Sequence, residues 1–250
     1  VLLALPTYLY LPDNINKVKW LTDQQKNWLK NELVKDESEY DQTRHGNPLL
    51  ALKDKRVLTL ALYYLPVTLS IYGLNLWLPT IIKQFGGGTD LQVGFLSSIP
   101  YVFGIIGLLI IPRSTDRLND RYGHLAFLYA FGACAMFLSA WLSSPVLQLA
   151  ALSAVAFCLF STTAVFWTLP GRFLTGASAA AGIALINSVG NLGGYLGPYG
   201  IGLLKEYTGN MAAGLYFLSI VMVFGLILTY FVYSKLERNK SQKLNLSEQA

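Results

Sequence analysis

Two asparagines stand in the middle of a long uncharged stretch of this sequence. No Asp, Glu, Lys or Arg occurs between Phe173 and Leu204, yet Asn187 and Asn191 lie inside that stretch. An unpaired amide is costly in hydrocarbon, so polar side chains at membrane depth usually face the interior of a helix bundle or a water-filled path. An asparagine amide both donates and accepts hydrogen bonds. The two residues are therefore candidates for contacts with a ligand carboxylate or hydroxyl, or for contacts between helices.

Small residues accompany the asparagines. At 3.6 residues per turn, Asn187, Asn191 and Gly194 share one helix face. Pro198 removes a backbone N–H and can kink a helix, and glycine lets two helix backbones approach closely. We therefore expect a helix that bends and that packs tightly against a neighbour through a stripe of glycines, Gly190, Gly193, Gly197 and Gly200.

Aromatic side chains supply further hydrogen-bonding groups in apolar surroundings. Trp167 follows the hydroxyl residues at 161–163, so it fits the wall of a pocket, although it also fits an interfacial aromatic belt. A phenol is inexpensive to bury when it finds a partner. The first long apolar stretch adds three more candidates for binding a small molecule, Tyr64, Tyr72 and Asn75.

The segment RSTDRLNDRYGH is short and dense in charge. An Asp can accept hydrogen bonds from the first N–H groups of a following helix, and an Arg can donate to the last carbonyls of a neighbouring one. Such contacts can form in one conformation and break in another. Asp116, Arg117 and Arg121 are thus candidates for a gate. The alternative is a charged loop that only fixes the orientation of helices in a membrane.

Residues for catalysis are scarce. All fourteen Asp and Glu lie outside the apolar stretches, and His45 and His124 lie in or beside loops. The glycines at 86–88 are not followed by the Lys and Ser/Thr of a phosphate loop. We therefore expect no enzyme, no metal site and no cofactor. Two alternatives stay open: a non-transporting membrane sensor, and a lipid-modifying membrane enzyme, for which the loops offer only Asp116 and Asp120.

Long apolar stretches must position all these candidates. The 250 residues are 53% hydrophobic and only 13% charged, whereas ordinary globular domains carry about 25% charge. Strands of a soluble core would be shorter, and a lipid-facing barrel would alternate in polarity. An all-α membrane protein is predicted, with six uncharged spans long enough to cross hydrocarbon, at 57–82, 93–112, 124–143, 146–170, 174–204 and 211–234.

The positive charges alternate along the chain. Seventeen of the nineteen Lys and Arg fall in 12–56, 113–123, 171–173 and the tail after Ser234. Because positive charge marks the cytoplasmic side, these segments are predicted to face inward and the intervening loops outward. The division among four segments also argues against nucleic acid as a partner.

The region before the first span is predicted to be a truncated helix end at 1–11 and a cytoplasmic loop at 12–56. Thr22 and Gln25 have the spacing of a capping box. The Trp and Leu residues that follow recur at helical spacing, which predicts an amphipathic helix on the membrane surface. A linker helix without a further role is the alternative.

Four segments together resemble one family of membrane transporters. GASAAAGIALINSVGNLGGYLGPYGIGLLKEYTG is similar to the eleventh helix of the anion:cation symporter family, within the major facilitator superfamily, and FWTLPGRFLTG resembles the end of its tenth helix. LPDNINKVKWLTDQQKNWL resembles the start of its central loop, and STDRLNDRYGH the loop between helices eight and nine. Arg172 and Thr115 depart from the family pattern.

The resemblance implies the C-terminal half of such a transporter. Its helix six would end in 1–11, its central loop would occupy 12–56, and its tail would occupy 235–250. Helices seven to twelve would occupy 57–234 as two inverted three-helix repeats. The absent N-terminal half would supply the Arg that binds the anion and the acid that carries the proton.

The family also implies a function. It is alternating-access symport of a small organic anion, such as tartrate, an aromatic acid or a sugar acid, with a proton or sodium ion. The location would be the bacterial inner membrane, with 12–56 and the C-terminus in the cytoplasm. Trp167 and Asn187 are expected to line the central cavity, together with Tyr64 or Tyr72 from the facing helix.

Overall fold

The structure is a computed structural model that describes residues 14–18, 20–39, 53–84, 88–172 and 176–236, with Thr7, Pro12 and Leu174. Every regular element in these ranges is helical, which confirms the all-α prediction. The chain divides into two compact units, Val1–Gly46 and Asn47–Ala250. The helix end predicted at 1–11 lies outside the described residues except for Thr7, and so does the tail after Leu236.

The first unit contains a 3₁₀ turn, Ile15–Lys17, and one helix, α1, Asp23–Glu39. The predicted capping box is confirmed, because Thr22 N donates to Gln25 Oε1 at 3.0 Å and Gln25 N donates to Thr22 Oγ1 at 3.3 Å. These reciprocal bonds pair backbone N–H groups that the first turn of a helix leaves free. Trp28 is 64% exposed, so α1 presents an aromatic ring on its surface.

The second unit is a helical bundle. Five of its described helices are long and apolar enough to cross a membrane: α2, Lys55–Lys83; α3, Asp90–Leu118; α4, Arg121–Trp141; α5, Pro145–Phe166; and α8, Met211–Leu236. Between α5 and α8 lie a 3₁₀ turn, Pro170–Arg172, and two shorter helices, α6, Gly176–Gly190, and α7, Gly193–Thr208.

Helix α2 lies at the centre of this bundle. It packs against α6, α7 and α8, and with smaller contacts against α3 and α5. Helix α3 packs mainly on α5, while α4 lies between α5 and α8. The largest fully buried side chains include Tyr63 of α2, Tyr129 of α4 and Phe166 of α5, so the packed core lies where these three helices meet.

The predicted charged loop at 113–123 is mostly helical, which corrects the sequence analysis. Helix α3 continues to Leu118 and α4 begins at Arg121, so only Asn119 and Asp120 connect them. Asn119 has a left-handed φ of 49°, and Asp120 Oδ1 accepts from Gly123 N at 2.8 Å as the cap of α4. The first charge along a helix marks the limit of the hydrocarbon, not the end of the helix.

The uncharged span predicted at 174–204 is two helices, not one. The interruption lies at Asn191 and Leu192, and Pro198 sits inside the regular helix α7. Gly194 N bonds to Asn191 O at 3.0 Å and Tyr195 N to Leu192 O at 3.1 Å. Both bonds join residues three apart, as in a 3₁₀ helix, and not four apart as in an α-helix. The expected bend therefore occurs among the glycines before Pro198.

Helix α5 also ends earlier than its predicted span, at Phe166. Trp167 is its C-cap, with N–H bonds to Thr163 O and Val165 O, and residues 167–169 form a turn. This places the tryptophan ring at a helix end, where its orientation is set by a turn rather than by a helical surface.

Candidate functional site

Three helix elements meet around Tyr64 of α2. The indole Nε1 of Trp167, at the end of α5, donates to the Tyr64 hydroxyl at 3.3 Å, and the two rings lie edge to face with centroids 5.0 Å apart. Gly190, the last residue of α6, lies against the same ring, since a Cβ added there would come within 3.0 Å of Tyr64 Cε1. The structure thus brings together two predicted site residues, Tyr64 and Trp167, beside the end of α6.

Two buried aromatic side chains, Phe166 and Tyr63, pack behind the Tyr64 ring. Its ring stacks on Phe166 with centroids 4.6 Å apart and an angle of 12° between the planes. Phe166 in turn packs against Tyr63, with ring centroids 5.7 Å apart. The Tyr63 hydroxyl forms a hydrogen bond with Thr229 Oγ1 of α8 at 2.9 Å. Stacked and edge-to-face ring pairs restrict orientation, so the Tyr64 hydroxyl has a fixed position at the junction.

The glycine stripe allows the close helix approach that the sequence predicts. A Cβ at Gly193 would lie 2.6 Å from Leu69 N and 2.9 Å from Leu65 O, both backbone atoms of α2. Gly197 meets the backbone of α2 in the same way, one turn further along. Gly200 differs, because it faces Phe217 of α8. Glycine therefore sets the contact between α2 and α7 over this interval.

The two asparagines do not bond to the Tyr64–Trp167 pair. Asn187 is half-buried, and its Nδ2 donates to Ile183 O of its own helix at 3.3 Å. Asn191 is exposed beside the helix interruption. Within the described part of the chain the Oδ1 atom of Asn187 accepts no hydrogen bond, which leaves it available to a ligand or to water.

The other predicted residues of α2 point elsewhere. Tyr72 is 46% exposed and lies beside Gly194 of α7, where an added Cβ would be 3.3 Å from Tyr72 Cδ2. Asn75 Oδ1 accepts from the hydroxyl of Tyr101 of α3 at 3.1 Å. Neither residue forms a hydrogen bond with Trp167, and Asn75 has a structural partner.

Two tyrosines of α7 escaped the sequence analysis. Tyr195 and Tyr199 stack on one another, with centroids 5.3 Å apart, and are 66% and 53% exposed. The signal that could have found them is a step of four residues that starts at Asn187 and passes through Asn191. Exposed phenols in an uncharged stretch are as informative as the asparagines that precede them.

The predicted gate residues are divided by the structure. Arg121 NH2 bonds to Asp116 Oδ1 at 3.2 Å, and its Nε donates to Thr168 Oγ1 at 3.1 Å. Thr168 directly follows Trp167, so one guanidinium links the end of α3 to the turn that carries the tryptophan. Arg117 is exposed and forms no ion pair with the residues that the structure describes.

A cavity of about 360 Å³ lies away from this junction, between the C-terminal end of α2 and the start of α3. Its lining includes Pro79, Val93 and Ser97, and Lys83 Nζ bonds to Asp90 Oδ1 across it at 3.1 Å. Among the described residues no group of three His, Cys, Asp or Glu could hold a metal ion.

Comparisons with known proteins agree on the kind of molecule. The sequence model of the family described as Major Facilitator Superfamily matches residues 1–198. The "Quinolone resistance transporter" of Acinetobacter baumannii is 86% identical over 248 residues, which are 99% of this chain and 57% of that protein. A "Putative tartrate transporter" of Agrobacterium vitis is 35% identical over 229 residues, 92% of this chain and 51% of its own length.

The "Inner membrane transport protein RhmT" of Escherichia coli strain K12 is 32% identical over 228 residues, covering 90% of this chain and 52% of that protein. The chain thus spans about half the length of the curated relatives it matches.

Proposed function

The chain belongs to the Major Facilitator Superfamily, and from this we propose that it is the C-terminal half of a secondary transporter for a small organic anion. Its long apolar helices and its bacterial relatives make it a multi-pass bacterial membrane protein. In the proposal the transporter is an anion:cation symporter, driven by a proton or sodium ion, and the substrate passes between this half and an N-terminal half.

The observation that carries the proposal is the Tyr64–Trp167 pair at the junction of three helix elements. An indole N–H only donates, and a phenol O–H donates as well as accepts. The Tyr64 hydroxyl accepts from Trp167, and its own proton has no acceptor among the described residues. A substrate carboxylate that inserts between them would receive two hydrogen bonds, which are stronger to a charged acceptor than the neutral bond they replace.

A carboxyl group is shared by the compounds that two of the relatives' names mention. Tartrate and the quinolones are both carboxylic acids, and quinolones are also planar and aromatic. The rings of Tyr64, Phe166 and Trp167 form a surface on which a planar acid can stack. Asn187, with a free amide oxygen, would bind a hydroxyl of the substrate, and Tyr72 and Asn191 would lie along its path.

Neutral donors can orient an anion but cannot neutralise it. Within 57–82, 93–112, 124–141, 145–166 and 211–234, the described apolar helices contain no Asp, Glu, Lys or Arg. A charge at membrane depth is costly unless it is paired. In the proposal the cation that pairs with the substrate and the acid that carries a coupling proton therefore belong to the N-terminal half.

The contacts of Arg121 would close the inner end of the path. Its bonds to Asp116 and Thr168 hold the end of α3 against the turn after Trp167. Arg121 is one of the positive charges that we assign to the cytoplasmic side. Inward opening would separate them, and the site would then exchange with the cytoplasm.

A second candidate function is quinolone export. It is favoured by the 86% identity to the quinolone resistance transporter. Uptake of an acid and export of a quinolone use opposite directions of net movement. Both can be measured in one preparation, and the direction that a proton or sodium gradient drives decides between them.

The test uses the full-length transporter in proteoliposomes, with labelled tartrate, labelled hydroxyphenylacetate and a fluorescent quinolone as probes. Trp167→Phe removes the N–H donor and should raise KM about tenfold, the effect of losing one hydrogen bond to a charged group. Trp141→Phe is the matched control, since Trp141 is 66% exposed at the end of α4, and its KM should not change.

Two outcomes count against the proposal. If no carboxylic acid is carried in either direction, the assigned substrate class is wrong. If Trp167→Phe and Trp141→Phe have the same KM, the transporter binds its substrate elsewhere.

A further inference from the structure

The helix interruption releases a buried carbonyl. In an unbroken helix Gly190 O would accept from Gly194 N, but Gly194 N donates to Asn191 O instead. Gly190 is buried at the end of α6. A buried carbonyl without a partner destabilises the conformation that buries it, so the interruption requires a donor from another helix.

Thr68 of α2 is that donor. Its Oγ1 lies 2.5 Å from Gly190 O, and the bond is buried. The approach depends on glycine, because a Cβ at Gly193 would collide with the Thr68 hydroxyl. Thr68 stands one turn after Tyr64, whose ring lies against the same Gly190. One residue thus joins the end of α6 to the part of α2 that carries the phenol.

The same hydroxyl has other acceptors on its own helix. Its Oγ1 lies 3.0 Å from Leu65 O and 3.3 Å from Tyr64 O. A threonine hydroxyl has one hydrogen, so it can donate to Gly190 or back to α2, but not to both at full strength. Rotation about the Cβ–Oγ1 bond redirects the hydroxyl hydrogen from Gly190 O to Leu65 O without moving any heavy atom.

We propose that Thr68 is a positioning residue for the substrate site. It holds Gly190 against Tyr64 while the site is formed, and it releases the end of α6 by returning its hydrogen bond to Leu65. The proposal rests on the proposed function, because it assigns Thr68 a part in the same transport cycle.

The exchange of partners makes this contact reversible. When α6 moves away, Thr68 keeps a hydrogen bond within α2. Gly190 O can then be hydrated by the water of an opened passage. The contact therefore favours the assembled site without preventing its opening, unlike a bond whose two partners would both be left unpaired.

Thr68→Val tests the role of the hydroxyl, since valine keeps the shape and removes the donor. In the full-length transporter we expect KM for the labelled acid to rise about five- to tenfold, the consequence of losing one buried hydrogen bond, with turnover not reduced. Thr68→Ser should restore the original KM. The matched control is Thr59→Val, on the same helix, whose hydroxyl donates only to Lys55 O of its own helix.

A second measurement does not depend on transport. Hydrogen exchange of the backbone amides in 186–196, followed by mass spectrometry in nanodiscs, reports directly on the interruption. Thr68→Val should speed exchange there about tenfold relative to Thr59→Val, as expected when a local opening loses one stabilising hydrogen bond. Equal exchange rates in the two variants would overturn the proposal, whatever the uptake data show.

The two measurements separate the two ideas. If the wild-type protein carries no acid but the Thr68→Val variant exchanges faster, the proposed substrate class is wrong. The role of Thr68 in holding Gly190 is then still supported. Should Thr68→Val fail to reach the membrane, Thr68→Ser decides. Normal KM and exchange in that variant support the role of the hydroxyl, and their loss contradicts it, because the serine retains the donor.

Discussion

Helices α2 and α3 are matched in length and differ in burial. Each has 29 residues and two internal prolines. Yet 67% of the most apolar window of α2 is buried in this chain, against 22% for α3. Apolar composition therefore does not distinguish the central helix from the peripheral one. The difference lies in the neighbours, because α2 meets glycines on α6 and α7 while α3 meets mainly α5.

The seam between α2 and α7 and the inner end of α3 are stabilised by different means. The seam between α2 and α7 depends on missing side chains, at Gly193 and Gly197. The inner end of α3 depends on charge, through Asp116 and Arg121. Packing at van der Waals distance has no tolerance for added atoms, whereas an exposed ion pair can be lost at modest cost. Substitutions should therefore affect the two regions unequally.

The largest effect is expected at the seam. Gly193→Ala places a Cβ 2.6 Å from a backbone nitrogen of α2 and should lower the free energy of unfolding by about 3 kcal/mol, the upper range for overpacking. Gly94→Ala in α3 is the control, since no atom lies within 4 Å of its added Cβ. Thermal unfolding of the full-length transporter in detergent measures both. Equal midpoints would remove the distinction between the helices.

An intermediate effect is expected at the inner end of α3. Arg121→Ala removes the bonds to Asp116 and Thr168 and should lower turnover about tenfold, as charge-assisted hydrogen bonds of roughly 1.5 kcal/mol are lost. Arg117→Ala should cost less, about twofold or below, because an exposed and unpaired charge contributes little. Initial rates at saturating substrate compare the variants. A larger loss in Arg117→Ala would transfer the gate to that residue.

The smallest effect is expected where α2 and α3 face each other beside the cavity. Lys83 and Asp90 form an ion pair whose side chains are 61% and 93% exposed. Lys83→Ala should change the free energy of unfolding by less than about 1 kcal/mol, and high salt should abolish the difference from wild type. Detergent unfolding curves at two salt concentrations make the comparison. A loss as large as that of Gly193→Ala would show that α3 is anchored through this pair.

The sequence was sufficient for features that depend on local pattern. Uncharged length predicted the apolar helices, the spacing of Thr22 and Gln25 predicted a capping box, and the glycine stripe predicted a close helix contact. Each of these follows from residues near one another in the chain, and the structure confirms them.

Features that depend on distant partners could not be predicted. The interruption at Asn191 is possible because Thr68, far away in sequence, satisfies Gly190 O. The contact with a sequence-distant residue that distinguishes Arg121 from Arg117 is the hydrogen bond to Thr168. The end of α3 was placed too early from the sequence because the first charged residue was treated as the end of the helix. The helix in fact continues through its charged last turns to Leu118, and Asp120 caps the next helix.

The interruption between α6 and α7 bears on how the chain is made. The two helices have 15 and 16 residues, so each is about 22–24 Å long, short of the roughly 30 Å of hydrocarbon. Neither helix alone is long enough to cross the membrane, and the peptide groups between them need hydrogen-bond partners as they enter it. Helix α2 leaves the ribosome before α6 and α7. The Thr68 hydroxyl that pairs with Gly190 O is therefore already in place when these two short helices are synthesised.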